Sequence, residues 1–312
     1  MAVAPLVAGA LTGVALRLIF SGGPGRAWDA MGLAFIVFAP IVVGAVTVYV
    51  AEREARRSWV YYFVVAAFAN VLFILGTMLV MIEGLICVIV IAPVFFLIGG
   101  LSGLAAGAIC RKTMKSKEAL LGLAFLPMLA SPLEAGLPLP QSLAEVERTV
   151  VIMAPPERVW RELLDAKDIR PEEVRDGWVF RIGVPVPVSG TTRDTPEGKV
   201  RHVTMGKDVS FDELITHSDE NRYLRWVYRF TPESFPPYAL DEHVVIGGHY
   251  FDLKNTAYTL NPMGDGTQLT VRIGYRVSTR FNWYAVPVAR LLMEDLGEAN
   301  LAYYKRRAER AS

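Results

Sequence analysis

Long apolar segments in the N-terminal half constrain this 312-residue chain more than any other feature. A helix needs about 20 apolar residues to cross the hydrocarbon core of a bilayer. Four segments have that length: Ala2 to Phe20, Ala30 to Val50, Trp59 to Ile82 and Leu85 to Ile109. A fifth, Ala119 to Ser131, is shorter, and its continuation to Leu139 includes Glu134. The sequence therefore predicts a transmembrane region with four or five helices over residues 1–140.

The charged residues divide the chain at the same place. Nine of the 32 Lys and Arg residues and six of the 31 acidic residues lie at or before Pro140. The links 51–58 and 111–117 are basic, and the positive-inside rule places both in the cytoplasm. Five spans would then put residues 141–312 outside the cytoplasm, whereas a re-entrant or interfacial fifth segment would leave them inside. We favour five spans, which makes the chain an integral inner (plasma) membrane protein with a periplasmic C-terminal domain.

Polar and small residues in the apolar segments indicate helix association rather than transport. Asn70 is an isolated amide, and Arg17 is near enough to a helix end for its charge to reach the interface. Cys87 and Cys110 lack the spacing of a zinc site or a CxxC motif. Glycines at four-residue spacing allow helices to approach closely: Gly9, Gly13, Gly99, Gly103 and Gly107.

The C-terminal half begins with a strand that leads into a helix. After a link from Gly136 to Glu147, the β-branched run Thr149 to Met153 predicts a strand. Pro155 and Pro156 favour the first turn of a helix, on which four apolar residues form one face: Val159, Trp160, Leu163 and Leu164. A short second helix is predicted over Asp168 to Glu173.

The remaining residues predict an antiparallel meander and a terminal helix. Six strand-like runs alternate with turn signals: Gly177 to Val188, Lys199 to Met205, Asp208 to Thr216, Arg222 to Thr231, Val244 to Leu260, and Thr267 to Ser278. A helix from Tyr284 to Arg310 carries an apolar stripe. The expected fold class is therefore a transmembrane helical bundle followed by an α+β helix-grip domain, in which the sheet wraps on a long C-terminal helix.

Two stretches resemble the START-like superfamily, also called polyketide cyclase/dehydrase-like or SRPBCC: VERTVVIMAPPERVWRELLD and TQLTVRIGYRVSTRFNWYAVPVARLLMEDLGEANLAYYKRRAE. The resemblance covers Glu145 to Glu309. LDEHVVIGGHYFDL and STRFNWYA are similar to a smaller bacterial group in which such a domain follows several membrane spans. The resemblance implies a helix-grip domain over residues 141–312 that binds or transfers a hydrophobic small molecule or lipid. An enzyme of the cyclase/dehydrase type and a membrane assembly protein with a filled cavity remain alternatives.

Candidate site residues follow from this fold. Glu213 lies at an apolar-face position, so it needs a partner or a raised pKa unless it lies on a solvated rim. Glu213, His243 and Tyr258 are the candidate acid or base groups. The Pro-rich segment Thr231 to His243 exposes aromatic residues that either pack on the domain or cover a cavity and touch the membrane. The candidate ligand-binding residues are Trp226, Tyr228, Phe235, Tyr238, Tyr275, Leu292 and Leu296.

We expect no metal or other cofactor and no nucleic acid. Asp241, Glu242, His243 and His249 could be arranged as metal ligands, but the Cys/His motif of a Rieske centre is absent from the sequence. No basic patch indicates a nucleic-acid partner. The expected partners are a hydrophobic molecule and the lipid bilayer. A carrier should contain a largely apolar cavity of about 300–1,000 Å³, whereas an enzyme should bring two titratable groups together in the cavity.

Overall fold

The computed structural model describes residues 3–112, 116–174 and 176–310, and for 116–121 it describes only the backbone. The chain forms two compact units. The first runs to Leu139 and includes Thr279–Phe281, and the second comprises Pro140–Ser278 and the residues from Asn282 onward.

The first unit is helical. Its helices are α1 (Val3–Ile19), α2 (Leu33–Glu54), α3 (Trp59–Leu79), α4 (Leu85–Lys112) and α5 (Ser116–Glu134). Among the described residues, α2, α3 and α4 are long and apolar enough to cross a membrane. Helix α1 has 17 residues, and the apolar part of α5, Gly122–Glu134, is also shorter. Three described helices thus meet the length and composition for a span. The prediction of four or five stays a prediction, since Ala2 and residues 113–115 of the predicted basic link lie outside the described residues.

Close helix contacts occur at the spaced glycines. A Cβ atom built on Gly13 would lie 2.3 Å from the ring of Phe73, and one on Gly103 would lie 2.5 Å from the carbonyl oxygen of Tyr62. These positions therefore require glycine where α1 meets α3 and where α4 meets α3. Arg17 is buried, and its guanidinium binds Glu83, in the link between α3 and α4, at 2.6 Å.

The second unit is a seven-stranded sheet with four helices. The strands are β1 (Ser142–Ile152), β2 (Pro187–Thr195), β3 (Gly198–Met205), β4 (Ser210–Asp219), β5 (Tyr223–Arg229), β6 (Phe251–Met263) and β7 (Gly266–Val277). The helices are α6 (Pro156–Leu164), α7 (Pro171–Val174), α8 (Trp178–Arg181) and α9 (Asn282–Arg310). The strand order is β1-β7-β6-β5-β4-β3-β2, and every neighbouring pair is antiparallel. The predicted helix-grip fold is confirmed.

The core of this unit lies between one face of the sheet and the helices. Val159, Trp160 and Leu163 of α6 are buried, as the predicted apolar face requires. Helix α9 buries one face in the same cluster, including Met293 and Leu301. The alternation of side chains along each strand therefore gives one face to the core and the other to solvent.

Two segments differ from the sequence prediction. The apolar run from Gly177 to Val188 is mainly helix α8 and a turn, because the backbone N–H of Val179 donates to the carboxylate of Asp295 on α9 at 2.7 Å. Strand β2 begins only at Pro187. The predicted link from Gly136 to Glu147 is also too long, since Ser142 already pairs with Val277 in the sheet. Residues 135–141 alone connect α5 to β1.

The long strand predicted from Val244 to Leu260 starts later than expected. A single 3₁₀ turn occupies Glu242–Val244, and β6 begins at Phe251. Pro236 and Pro237 precede this segment, and Gly247 has a φ of +78°, which a regular strand does not accommodate. The Pro-rich segment and its extension therefore form one irregular connection between β5 and β6.

Candidate functional site

A cavity of about 120 Å³ lies inside the second unit, between the sheet and α9. The sheet supplies apolar side chains such as Val203, Met205 and Phe211, and α9 supplies Leu296. The connection between α6 and β2 contributes further apolar residues, among them Phe180 of α8. The volume is below the 300–1,000 Å³ expected of a carrier and closer to the apolar cavity of about 150 Å³ that can hold benzene.

A buried ion pair forms part of the cavity wall. Arg201 on β3 and Glu213 on β4 are direct cross-strand neighbours, and Arg201 Nη1 donates to Glu213 Oε2 at 2.6 Å. The two residues are 6% and 5% exposed. The interpretation of Glu213 as part of a solvated rim is therefore wrong, and Arg201 is the partner that its apolar-face position requires.

The two charges modify each other's ionisation. Burial raises the pKa of Glu213 above its ordinary value, and the adjacent Arg201 charge opposes that change. Burial alone would lower the pKa of Arg201, but the Glu213 carboxylate reverses the direction and holds the pKa above its usual range. Arg201 is consequently a permanent cation, and the indole of Trp226 lies 5.4 Å from its Cζ atom, within cation–π distance.

Phenol groups surround this pair. The Tyr228 hydroxyl shares a hydrogen bond of 2.6 Å with Thr256 Oγ1. The ring of Tyr258 lies 5.4 Å from that of Trp226 and 5.7 Å from that of Tyr304 on α9. Burial raises the pKa of Tyr228, Tyr258 and Tyr304 above that of a free phenol. These tyrosines therefore remain neutral hydrogen-bonding groups at physiological pH.

Helix α9 closes the cavity through one face. Leu296, Asn300, Tyr303 and Tyr304 all line it. Their spacing of four, three and one residues places them along one side of about two turns of helix. The helix therefore contributes both apolar and polar groups opposite the sheet.

Some of the candidate residues meet at this cavity. Trp226, Tyr228 and Leu296 line it, together with Glu213 and Tyr258. They come from three strands and α9, so only the folded chain brings them together.

The other candidates lie elsewhere. Phe235 packs on Phe211, with ring centroids 6.4 Å apart, and Tyr275 packs on Phe251. Tyr238 is 65% exposed. Two further candidates, Leu292 and His243, are also outside the lining: Leu292 is half-buried against the core, and His243 lies 6.3 Å from the ring of Tyr250.

Sequence reasoning missed several lining residues. Arg201 is two positions before Val203 and four before Met205, so the alternation of β3 assigns all three to the cavity face. That signal was available in the sequence. Asn300 and Tyr304 carry no comparable signal, because neither belongs to the apolar stripe of α9.

Comparison with known proteins gives matches only to solved structures. No family model and no curated protein matches the chain. The protein TTHA0849 from Thermus thermophilus is 21% identical, with a TM-score of 0.35, over 54% of this chain and 99% of its own. A START superfamily protein from Mycobacterium smegmatis is 15% identical, with a TM-score of 0.37, over 54% and 99%. The Zhui aromatase/cyclase from Streptomyces sp. R1128 is 17% identical, with a TM-score of 0.33, over 54% and 95%.

These likenesses concern the fold. The helix-grip assignment itself rests on the strand order and on the position of α9.

Proposed function

We propose that the second unit binds a small, mostly apolar molecule in the cavity between the sheet and α9, and that the apolar helices hold this unit at a membrane. The observation that carries the proposal is an apolar cavity with one buried ion pair, Arg201 and Glu213, in its wall. Binding sites for small molecules are typically concave and apolar, with a few polar groups that orient the ligand.

The ion pair supports recognition more than it supports folding. Burying two charges costs several kcal/mol per ion, and well-packed apolar residues often replace a buried pair without loss of stability. A core built only for stability would therefore have no need of Arg201 at this position. The START-like resemblance, whose superfamily includes lipid carriers, points in the same direction. The cavity volume favours a ligand of about one ring over a whole lipid.

The experiment is native mass spectrometry of the full chain extracted from its own membrane. We expect a retained small molecule. In the variant Leu296→Trp, a larger side chain fills the cavity from α9, and the retained molecule should be lost. Leu291→Trp is the matched control, because Leu291 lies on the same helix and is 64% exposed. A wild-type protein that retains no small molecule would exclude stable binding.

The tether and its orientation form part of the proposal. Helices α2, α3 and α4 have the length and composition for membrane spans, and the basic link 51–58 favours a cytoplasmic position. With five spans, the second unit is periplasmic. Alkaline phosphatase fused after residue 312 should be active. A fluorescent cytoplasmic reporter that is active at the same position, without phosphatase activity, would place the unit in the cytoplasm.

A second candidate function is catalysis on the bound molecule. Glu213 and Tyr258 both line the cavity, and burial raises the pKa of each. A carboxyl group with a raised pKa is suited to general acid–base chemistry. If the protein is an enzyme, Glu213→Gln should retain an unconverted molecule whose mass differs from that found in the wild type. Identical masses in the two proteins would favour binding alone.

A further inference from the structure

Three side chains that line the cavity each carry a buried hydrogen-bond donor. Among the described residues, none of these three donors has a hydrogen-bond partner. They are Nε of Arg201, Nε1 of Trp226 and the hydroxyl of Tyr303. Nε1 of Trp226 lies near the Tyr228 hydroxyl but not in the geometry of a hydrogen bond. The three residues are 6%, 2% and 3% exposed. The residues belong to β3, β5 and α9, so both the sheet and the helix contribute at least one of these donors to the cavity lining.

Unpaired buried donors are unusual in a folded protein. More than about 90% of buried polar groups have a hydrogen-bond partner, and leaving one unpaired is unfavourable because its hydration is lost without replacement. Arg201 and Trp226 offer only N–H groups at these atoms and cannot accept a hydrogen bond there. The group that completes them must therefore be a hydrogen-bond acceptor.

The charge of the wall restricts that acceptor further. Arg201 already forms a 2.6 Å ion pair with Glu213, so its positive charge is compensated. The surrounding phenols are neutral because burial raises the pKa of Tyr228, Tyr258 and Tyr304. An anionic ligand would place a second negative charge close to Glu213 in a region of low dielectric constant, where like charges repel strongly. A neutral acceptor avoids this repulsion.

On these grounds, and resting on the proposed function, we propose that the cavity selects a neutral carbonyl compound of about one ring in size. Its carbonyl oxygen accepts hydrogen bonds from the donors of Arg201, Trp226 and Tyr303, and its apolar part contacts Val203, Phe211 and Leu296. A ketone, an ester or an amide meets this requirement. A pure hydrocarbon leaves the donors unpaired, and a carboxylate adds the unfavourable charge.

The test uses three probes with the same number of non-hydrogen atoms. Acetophenone has a neutral carbonyl, isopropylbenzene is its apolar counterpart, and benzoate is anionic. Binding is measured by equilibrium dialysis with the full chain in lipid nanodiscs, and the cavity-filled variant Leu296→Trp in identical nanodiscs corrects for partition into lipid. We expect acetophenone to bind at least about tenfold more tightly than isopropylbenzene, as more than one hydrogen bond requires. Benzoate at pH 7 should not bind above the corrected background.

Removing single donors gives the second arm of the test. Tyr303→Phe and Trp226→Phe should each weaken acetophenone binding about fivefold, the effect of one neutral hydrogen bond. Isopropylbenzene binding should change less than about twofold in Tyr303→Phe. Because the Tyr303 hydroxyl is unpaired, Tyr303→Phe should leave the thermal midpoint of the ligand-free protein unchanged or raise it. A purely structural hydroxyl would lower the midpoint on removal.

The outcomes separate this inference from the function on which it rests. The carbonyl assignment would be overturned if acetophenone and isopropylbenzene bound equally tightly, or if both donor variants kept the full affinity for acetophenone. Apolar binding would then remain intact. Ordered water as the natural partner of the donors would give this result. Tighter binding of benzoate would overturn the requirement for neutrality. If neither acetophenone nor isopropylbenzene binds above the Leu296→Trp background, the proposed binding function fails as well.

Discussion

The guanidinium of Arg201 occupies the space that a side chain at Gly190 would need. A Cβ atom built on Gly190 would lie 2.3 Å from Nη2 and 2.4 Å from Cζ of Arg201. Gly190 is held in place by two backbone hydrogen bonds with Ala166, of 2.7 and 2.8 Å. The absence of a side chain on β2 therefore determines where the charge of Arg201 lies.

This contact predicts the effect of Gly190→Ala. The added methyl group should displace the guanidinium and weaken its bond with Glu213. We expect the free energy of unfolding to fall by at least about 2 kcal/mol, approaching the roughly 3–5 kcal/mol that breaking a buried pair costs. The retained small molecule should be lost at the same time. Denaturant titration of the full chain, followed by near-ultraviolet circular dichroism, measures the first effect, and native mass spectrometry measures the second.

Gly206→Ala is the matched control for this substitution. A Cβ atom on Gly206, which follows β3, would meet its nearest neighbour, the carbonyl oxygen of Val186, at an ordinary 3.7 Å. The control should unfold like the wild type. If Gly190→Ala were as stable as Gly206→Ala and still retained the molecule, the contact would not determine the position of Arg201.

The strands and α9 could be predicted because their patterns are local. Side-chain alternation along β3 to β7 separates a wet face from an apolar face, and the apolar stripe of α9 follows its helical period. The strand prediction for Gly177 to Val188 was wrong because the apolar residues of this run are consistent with either a strand or a helix. Its helix α8 depends on a hydrogen bond to Asp295, more than a hundred residues away in sequence.

The cavity could be predicted only in part, for a related reason. Alternation assigns Trp226, Tyr228 and Tyr275 alike to the apolar side of the sheet, but it does not distinguish a cavity wall from solid core. Tyr275 contacts Phe251, whereas Trp226 and Tyr228 line the cavity. The Arg201 partner of Glu213 requires the pairing register of β3 and β4, which the sequence pattern does not contain.

Replacing the ion pair tests whether it serves the fold or the ligand. Arg201→Met alone and Glu213→Leu alone each leave a buried charge unpaired, so each should destabilise the protein by about 3–5 kcal/mol. The double substitution removes both charges, and we expect it to be close to the wild type or more stable. It should no longer prefer acetophenone over isopropylbenzene. Denaturant titration and equilibrium dialysis of all four proteins complete the cycle.

The cycle measures the coupling energy between Arg201 and Glu213. If the double substitution were as unstable as the sum of the single ones, the ion pair would contribute no compensating interaction. A stable double variant that still prefers the carbonyl probe would show that other groups determine the selectivity.

Two substitutions in the Pro-rich segment, at Phe235 and at Tyr238, should affect stability to different extents. Phe235 packs on Phe211 and Phe230, with ring centroids 6.4 and 5.6 Å apart. Since Phe235 is only half-buried, Phe235→Ala should cost about 2 kcal/mol, less than the roughly 3–5 kcal/mol of a fully buried aromatic residue. Tyr238 is 65% exposed, so Tyr238→Ala should change stability by less than about 0.5 kcal/mol.

Substitutions at the same two residues distinguish core structure from a membrane-facing cover. If Tyr238 touches lipid, Tyr238→Asp should reduce the quenching of nearby tryptophan fluorescence by brominated lipids in nanodiscs, without loss of stability. Phe235→Ala should leave that quenching unchanged in the folded protein. Unchanged quenching in Tyr238→Asp would exclude a membrane contact by this residue.

The last prediction concerns acid stability and rests on Glu173 of α7. Its carboxylate is only 4% exposed and accepts hydrogen bonds from Arg307 at 2.8 Å and from the backbone N–H of Arg170 at 3.0 Å. Arg310 lies 3.7 Å away, and Glu162 on α6 also faces Arg307. Burial alone would raise the pKa of Glu173, but the bonds from Arg307 and Arg170 outweigh burial and hold the pKa below its ordinary value of 4.5.

A lowered pKa in the folded state means that the unfolded chain binds the proton more tightly. The contribution of Glu173 is therefore present above about pH 4.5 and is lost as the pH falls through the folded-state pKa. Glu173→Gln should lower the free energy of unfolding by about 2 kcal/mol at pH 7, in the range of charged hydrogen bonds, and the difference from the wild type should shrink towards pH 3. The exposed Glu157 on α6 provides the control Glu157→Gln, which should unfold like the wild type at both pH values. If Glu173→Gln lowered the free energy of unfolding equally at pH 3 and pH 7, the effect would come from the shape of the side chain, because protonation of Glu173 would not contribute to it.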